Sequence, residues 1–343
     1  MLNPDKPKVS VCIPVYNGEN FIEECIKSVL EQGYNDYELI IVDNCSTDST
    51  FSIVNGMNDA RIRYVRNEEN IGSIRNFNEC IKQAKGELFL LLPHDDLLLP
   101  ESLAKFVHFF NDPAIGFSYS SFRVINADGD ITRTKINHLQ NHLFTCEEAI
   151  TDIVDYFVPI QLAMVRTQIL KQLDGFDSKY ALFCDVHLWL RIIFDGWKAF
   201  YNSEPLSCHR VHEQQGQNAF LNPDIKILSK HWGKKLDRSF WKENSYSYLF
   251  LKLIQFILVE SNKKAFKVEH IENVLLRLLA RSHVRSLSFA LFRFNWFIFW
   301  QEIMIFKHLR KQYPISKIIS SYLTVFVKET KNQINKRLNS HSH

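Results

Sequence analysis

The sequence predicts an α/β fold: a mostly parallel sheet with helices on both faces, followed by a C-terminal helical region. Three observations carry that reading. Short β-branched apolar runs alternate with helical-period stretches through the N-terminal third, and each run closes in turn residues. Charge divides the chain, because residues 1–224 hold 19 Lys and Arg against 31 Asp and Glu, while residues 225–343 hold 22 against 7. The apolar runs are continuous rather than alternating, as strands buried on both faces of a parallel sheet require.

The elements follow in order. Residues 9–17, VSVCIPVYN, read as a strand ending in turn residues, and Phe21, Ile22, Cys25, Ile26, Val29 and Leu30 then recur at helical spacing. Residues 37–43, YELIIVD, form a second buried-type strand, and Ser46 to Thr50 supply several N-cap candidates for the next helix. A weaker third strand covers residues 61–65. A helical pattern over residues 73–85 stops at Gly86, and the strand over residues 87–92 leads into Pro93-His94-Asp95-Asp96. Ligands of such sheets sit beyond the carboxyl ends of the strands. Three polar clusters fall there: residues 14–19, 43–48 and 94–96.

Adjacent carboxylates where a chain leaves a sheet suit a hard divalent cation. Mg²⁺ or Mn²⁺ is held through one or two carboxylates and keeps other positions for water and substrate phosphates. A solvated acidic turn explains the same two residues, and the motif is short.

In order and at matching spacing, the stretches VSVCIPVYNGENFIEECIKSVLEQ, YELIIVDNCSTDST, NIGSIRNFNECIKQAKGELFLLLPHDDLLLP and GFDSKYALFCDVHLWLRI resemble the family 2 glycosyltransferases of GT-A fold. The resemblance covers residues 7–220. It implies a Rossmann-like GT-A domain of the inverting, bacterial cell-surface polysaccharide type. By it, Pro14, Tyr16, Asn17 and Glu19 border the nucleotide, Asp43 binds its base, Asp95 takes the metal-binding place that ends the family's D-x-D motif, and Asp185 matches the catalytic base. Asp96 and His94 stand beside Asp95 as helpers. Ser207 to Gln215 resembles the family's returning segment, which makes Arg210 and His212 candidates for phosphate contact and His212 a candidate metal ligand. An ordinary surface loop with two histidines fits as well. Arg75, near the start of its helix, reaches either the nucleotide or solvent.

Three departures from the family pattern matter. Pro93 stands where many members carry the first acid of D-x-D, Cys184 replaces the acid before Asp185, and Asn44-Cys45 replaces a commoner Asp-Gly. Metal affinity rests on Asp95, and the base rests on one carboxylate. Moving a sugar from a nucleotide diphosphate to a hydroxyl needs a cation for the departing diphosphate and an acceptor for the hydroxyl proton, which Asp95 and Asp185 would supply. From spacing alone, a first-turn carboxylate complementing the helix dipole is the better reading of Asp185, and only the resemblance favours the base.

The expected organisation is a catalytic domain over residues 1–224 and a basic, aromatic-rich helical region over residues 225–343. Residues 289–300 are rich in Phe and Trp but interrupted by Arg293 and Asn295, and so are too short and too broken for the ~20 apolar residues of a bilayer span. Aromatic and cationic residues together, including Arg293, Trp296, Trp300, Lys307, Arg310 and Lys311, suit an interfacial helix on an anionic membrane surface. The alternative is a helix packed on the catalytic domain or on a second copy of the chain in a homo-oligomer. No nucleic-acid motif accompanies the basic charge, so no nucleic-acid partner is expected.

Seven cysteines without a Cys-x-x-Cys pair suggest reduced thiols, and the N-terminus has no apolar signal region. These features lead us to expect a cytoplasmic enzyme, peripheral on the inner face of the cell membrane. Its expected partners are a nucleotide-sugar donor, in the first place a UDP-sugar, and a glycan or lipid-linked acceptor. Two rival readings are a nucleotidyltransferase, which would usually show a Gly-rich phosphate loop that residues 15–19 do not provide, and a catalytically inactive nucleotide-sugar-binding protein of the same fold.

Overall fold

The structure is a computed structural model, and it describes residues 7–212, apart from 157 and 161–162, together with positions 256, 257 and 260. The chain divides into two compact units, Met1–Lys242 and Glu243–His343. Every element below belongs to the first. The charge boundary expected at residue 224 and the aromatic-basic segment from Arg293 to Lys311 lie outside the described residues.

Strand β1 (Val9–Val15) is buried throughout, as its unbroken apolar run requires. It pairs in parallel with β2 (Tyr37–Asp43) on one side and β4 (Leu88–Leu91) on the other, and β3 (Ile62–Arg66) adds in parallel to β2. Helices α1 (Ile22–Leu30), α2 (Thr50–Gly56) and α3 (Ser73–Gln83) make the crossovers. A two-residue β5 (Leu97–Leu98) and α4 (Ser102–Phe109) lead to the long β6 (Ile115–Ile125). Then come β7 (Ile131–Lys135), β8 (His142–Leu143), α5 (Cys146–Tyr156), β9 (Ala163–Arg166), α6 (Thr167–Gln172), a 3₁₀ turn (Ser178–Phe183), α7 (Cys184–Phe194) and β10 (Lys198–Arg210).

The sheet order is β3-β2-β1-β4-β9-β6-β10-β5, with β7 on β6 and β8 on β10. β9 is antiparallel to both β4 and β6, β6 and β10 are parallel, and β5 is antiparallel to β10. Along this path, therefore, only β9 and β5 run against the rest. The sheet is mostly parallel, as expected, and the carboxyl ends of β1, β2, β4, β6 and β10 share one edge.

Val11, Ile13, Ile22, Ile26, Leu39, Leu88, Leu90 and Leu103 pack into one fully buried cluster. Each such side chain contributes ~1.5–3 kcal/mol on burial. Among the described residues no helix is long and apolar enough to cross a membrane.

Candidate active site

The carboxyl edge gathers the polar clusters that end β1, β2 and β4. The loop after β1 is stitched to the loop after β2: the Asn17 N–H donates to Ser46 Oγ (2.9 Å), the Gly18 N–H to Thr50 Oγ1 (2.9 Å), and the Glu19 N–H to Asp48 Oδ2 (3.0 Å). In return Asn17 Oδ1 accepts from the Thr47 N–H and Glu19 from the Ser49 N–H. Asn17 and Glu19, expected at the nucleotide, thus act here as loop staples. Gly18 has a steric reason: an added Cβ would lie 2.5 Å from Val15 Cγ2 and 2.6 Å from the His94 ring. A glycine lets the first loop meet the acidic turn. Pro14 is buried within β1, opposite Val42, while Tyr16 is half-buried just past the strand's end.

Asp43 closes β2 with no exposed surface. Its Oδ1 accepts from the Ser46 N–H (2.9 Å) and hydroxyl (2.5 Å), and its Oδ2 accepts from the Tyr64 hydroxyl and from Arg66 (3.1 Å). A base approaching Asp43 meets a carboxylate already held by β3. Cys45, where the family pattern favours glycine, has φ 64°, in the left-handed region that side chains disfavour. Asn76 in α3 is buried and bonds to Val42 and Asn67, whereas Arg75 beside it is exposed.

The Asp95-Asp96 turn is clasped by the end of β10. His212 Nε2 lies 3.1 Å from Asp95 Oδ2, His209 Nδ1 lies 3.2 Å from Asp96 Oδ1, and the Arg210 N–H donates to the same Asp96 oxygen (2.8 Å). The Arg210 guanidinium was a candidate phosphate ligand. It is instead buried at 1% exposure, donating to the carbonyls of Asp95, Asn126 and Ala127 and to Glu24 (2.6 Å). Those bonds join α1, the acidic turn, the β6–β7 turn and β10, so this arginine serves as a strut. Its guanidinium also lies 4.9 Å from the Phe21 ring, which meets the His212 ring at 4.8 Å.

The two neighbouring carboxyls are driven apart. For Asp95, burial pushes the pKa up, but the hydrogen bond to His212 and the charge of His94 outweigh it and hold the group below the usual carboxylate range. For Asp96, burial and then the charge of Asp95 push the pKa up, against the opposing pull of His209. Burial lowers His209, yet the bond to Asp96 and both carboxylate charges bring it above the ordinary imidazole value, with the charge of Arg133 opposing. Asp95 is the anion of the pair, and Asp96 is committed to β10. A cation therefore fits at Asp95 with His212 beside it, whereas Asp96 has both oxygens within hydrogen-bonding reach of His209. Among the described residues no three His, Cys, Asp or Glu side chains converge into a ready-made cage. A Mg²⁺-type site does not need one, since it completes its shell with water and phosphate.

Asp185 sits in the first turn of α7, half-buried, and accepts from the Val186 N–H (2.7 Å). Among the described residues no hydrogen bond ties it to the Asp95 turn. Burial pushes its pKa up to about 7, only partly countered by the backbone donors of Val186 and itself. α7 ends where β10 begins beside the start of β6, so its first turn faces back toward the carboxyl edge. Two residues further on, His187 is buried under Tyr180, with ring centroids 3.5 Å apart, and burial drives its pKa down to about 3.

Sequence reasoning did not find Phe21, Glu24, Tyr64, Arg66 or His209. The one available signal was general: a buried carboxylate such as Asp43 or Asp96 needs donors, and those donors lie far away in sequence.

A mostly parallel sheet with a clasped Asp-Asp turn at its carboxyl edge and a partly buried carboxyl at a helix start fits a GT-A fold. Residues 10–174, a little under half of the chain, match the glycosyl transferase family 2 model. It is 29% identical to the putative teichuronic acid biosynthesis glycosyltransferase TuaG of Bacillus subtilis, over 66% of this chain and 86% of that protein. It is 26% identical to the UDP-Glc:alpha-D-GlcNAc-diphosphoundecaprenol beta-1,3-glucosyltransferase WfgD of Escherichia coli, over 75% and 95%. An uncharacterised Mycobacterium tuberculosis protein is 32% identical, the match spanning 56% of this chain and 64% of that protein. The fold is similar to that of S. aureus TarS 1-349, solved with UDP-GlcNAc, with a TM-score of 0.67 at 20% identity, covering 95% of this chain and 92% of that one.

Proposed function

We propose that this protein is an inverting glycosyltransferase that moves a sugar from a nucleotide-diphosphate donor, in the first place a UDP-sugar, to a hydroxyl of a glycan or lipid-linked acceptor in cell-surface polysaccharide assembly. The observation that carries the reading is the opposite tuning of Asp95 and Asp185. Asp95 is kept ionised by the histidines around it, whereas Asp185 is pushed up to about 7 by burial. One carboxylate thereby suits a cation and the other a proton.

Asp95 and His212 would hold Mg²⁺ or Mn²⁺, which when bound supplies positive charge to the departing diphosphate. Asp96, His209 and Arg210 keep the turn in place. Asp185 takes the acceptor hydroxyl proton, and its pKa near working pH lets it accept a proton without being permanently occupied by one. With the base opposite the leaving group, displacement inverts the anomeric centre. The donor class is supported by WfgD, named for UDP-Glc, and by TarS with UDP-GlcNAc. Support for the acceptor class comes from WfgD, named for a diphosphoundecaprenol-linked sugar, and from the teichuronic acid role printed for TuaG. Peripheral association with the membrane follows from that acceptor.

The test is hydrolysis and transfer assays on a panel of UDP-sugars with Mn²⁺, Mg²⁺ and EDTA. Donor turnover that requires the cation supports the reading. Nucleotide binding without any turnover would favour an inactive binding protein.

A further inference from the structure

The nitrogen lone pairs of an imidazole lie in its plane, so His212 shares a cation with Asp95 only if something holds that plane. Rotation about the Cβ–Cγ bond of a histidine is broad and two-fold, and the rotamer alone does not fix where the ring nitrogens point. His212 stands two residues past the end of β10, just after Val211, whose N–H donates to Ile125 O (2.9 Å). Its Nε2 nevertheless lies 3.1 Å from Asp95 Oδ2. Two neighbouring ligands of an octahedral Mg²⁺-type ion, each at ~2.1 Å, stand about 3.0 Å apart. The pair is therefore already at ligand spacing.

Phe21 is the ring in contact with it. The two ring centroids are 4.8 Å apart, with the planes tilted by 49°. Phe21 is itself fixed: its N–H donates to Gly18 O (3.0 Å), its carbonyl accepts from the Cys25 N–H (3.0 Å), and the same Gly18 oxygen takes the Ile22 N–H (3.0 Å). The Arg210 guanidinium lies 4.9 Å from the Phe21 ring, within cation–π range, and that guanidinium is held by three carbonyls and Glu24. Ile22 and Ile26 of α1 fill the core, whereas Phe21 just before them is half-buried and turned to the end of β10. A rigidly mounted ring thus packs against a cation ligand that lies outside any helix or strand.

We propose that Phe21 is a positioning residue for the cation site: its ring limits the rotation of the His212 imidazole and keeps Nε2 turned to the ion that Asp95 Oδ2 holds. Metal-binding histidines are commonly oriented by a hydrogen-bonding partner outside the ligand shell. A flat ring does the same by contact, and a flexible alkyl side chain, which presents no flat face, does not. This assignment rests on the glycosyltransferase reading above and extends it from the ligands to the residue that orients one of them.

The experiment is calorimetric titration of UDP into the full chain in Mn²⁺ and in EDTA, the ratio of the two affinities reading the cation site. It compares wild type, Phe21→Leu, Phe21→Tyr, Asp95→Ala, His212→Ala and the double variant Phe21→Leu/His212→Ala. Urea unfolding checks each fold, and Phe21→Met replaces Phe21→Leu if the latter does not fold. Phe21→Leu is expected to cut the gain from Mn²⁺ by about tenfold, the low end of what loss of an orienting partner costs a metal site, with UDP affinity in EDTA unchanged. Phe21→Tyr keeps the ring and should match wild type. Added to His212→Ala, Phe21→Leu should change nothing further, because a residue that acts through His212 then has nothing to act on. An undiminished gain in Phe21→Leu, with Asp95→Ala and His212→Ala losing theirs, overturns the assignment and leaves the cation site standing. An equal loss from Phe21→Leu with and without His212 also overturns it, since that is the mark of general packing. If wild type binds UDP no more tightly in Mn²⁺ than in EDTA, the cation reading itself fails and the assignment falls with it.

Discussion

The turn after β4 and the first turn of α7 each present a carboxylate, and their surroundings are opposites. Asp95 lies among His94, His212 and the Arg210 strut. Asp185 has backbone donors and desolvation and, among the described residues, no cationic partner. Cationic neighbours favour the ionised form, whereas desolvation without them favours the neutral one. The same side chain thus becomes a charge holder in one place and a proton acceptor in the other, and environments that push two acids apart in this way separate their roles.

Removing the charge holder should have the largest effect. Asp95→Ala is expected to abolish transfer and to weaken UDP binding in the presence of Mn²⁺, while UDP binding in EDTA changes little; steady-state assays and calorimetry read both. Full activity of Asp95→Ala would end its cation role, and with it this comparison.

Next comes the proton acceptor. Asp185→Asn should keep donor affinity and lower turnover by about 10²–10⁴, the usual contribution of a positioned base. In wild type, turnover should rise with pH through about 7 and level off above it, because only the ionised carboxyl accepts a proton. The stability effect has the opposite sign. The folded protein keeps the Asp185 proton up to about 7 whereas the unfolded chain releases it near 3.8, so stability is lost as pH rises between those values. Asp185→Asn should therefore melt higher than wild type at pH 8 and about level with it near pH 4, a gain in stability with a loss of activity. A melting difference independent of pH would mean that Asp185 is a helix cap and little more.

Much of the first region was legible in the sequence, but its strut was not. β1, β2 and β4 are buried on both faces, so their apolar runs are continuous and read directly as strands, and the Asp95-Asp96 pair marks the point where the chain leaves the sheet. The partners of Asp96 come from residues 113 and 114 positions later, and nothing local signals them. Arg210 looked like a loop residue offered to phosphate, yet it is the last residue of β10, and the parallel pairing of β10 with β6 draws it under the turn. The antiparallel insertion of β9 was equally hidden, since a four-residue strand has too little pattern to show direction. At α7 the helix was legible from its spacing. The depth at which Asp185 sits was not, and that depth sets its pKa.

Breaking the strut should cost stability before chemistry. Arg210→Ala removes a buried cation that satisfies three carbonyls and Glu24, and is expected to destabilise the fold by about 3–5 kcal/mol, measured by urea unfolding. A cost below about 1 kcal/mol, within the range of exposed pairs, would contradict the strut. The smallest effect belongs to Cys45→Gly. Relief of a left-handed side-chain conformation, about 1–2 kcal/mol, is offset by about 0.5–1 kcal/mol of added unfolded-state entropy, so a small net stabilisation is expected in the same assay.

The opposite tuning of the two acids is tested most directly by a carbon-13 titration of the aspartate carboxyls, with signals assigned from Asp95→Asn and Asp185→Asn spectra. The resonance missing in Asp185→Asn should titrate at about 7, and the one missing in Asp95→Asn should stay ionised to below the ordinary 3.8. Asp185 titrating near 3.8, or Asp95 titrating above it, would contradict the division of roles.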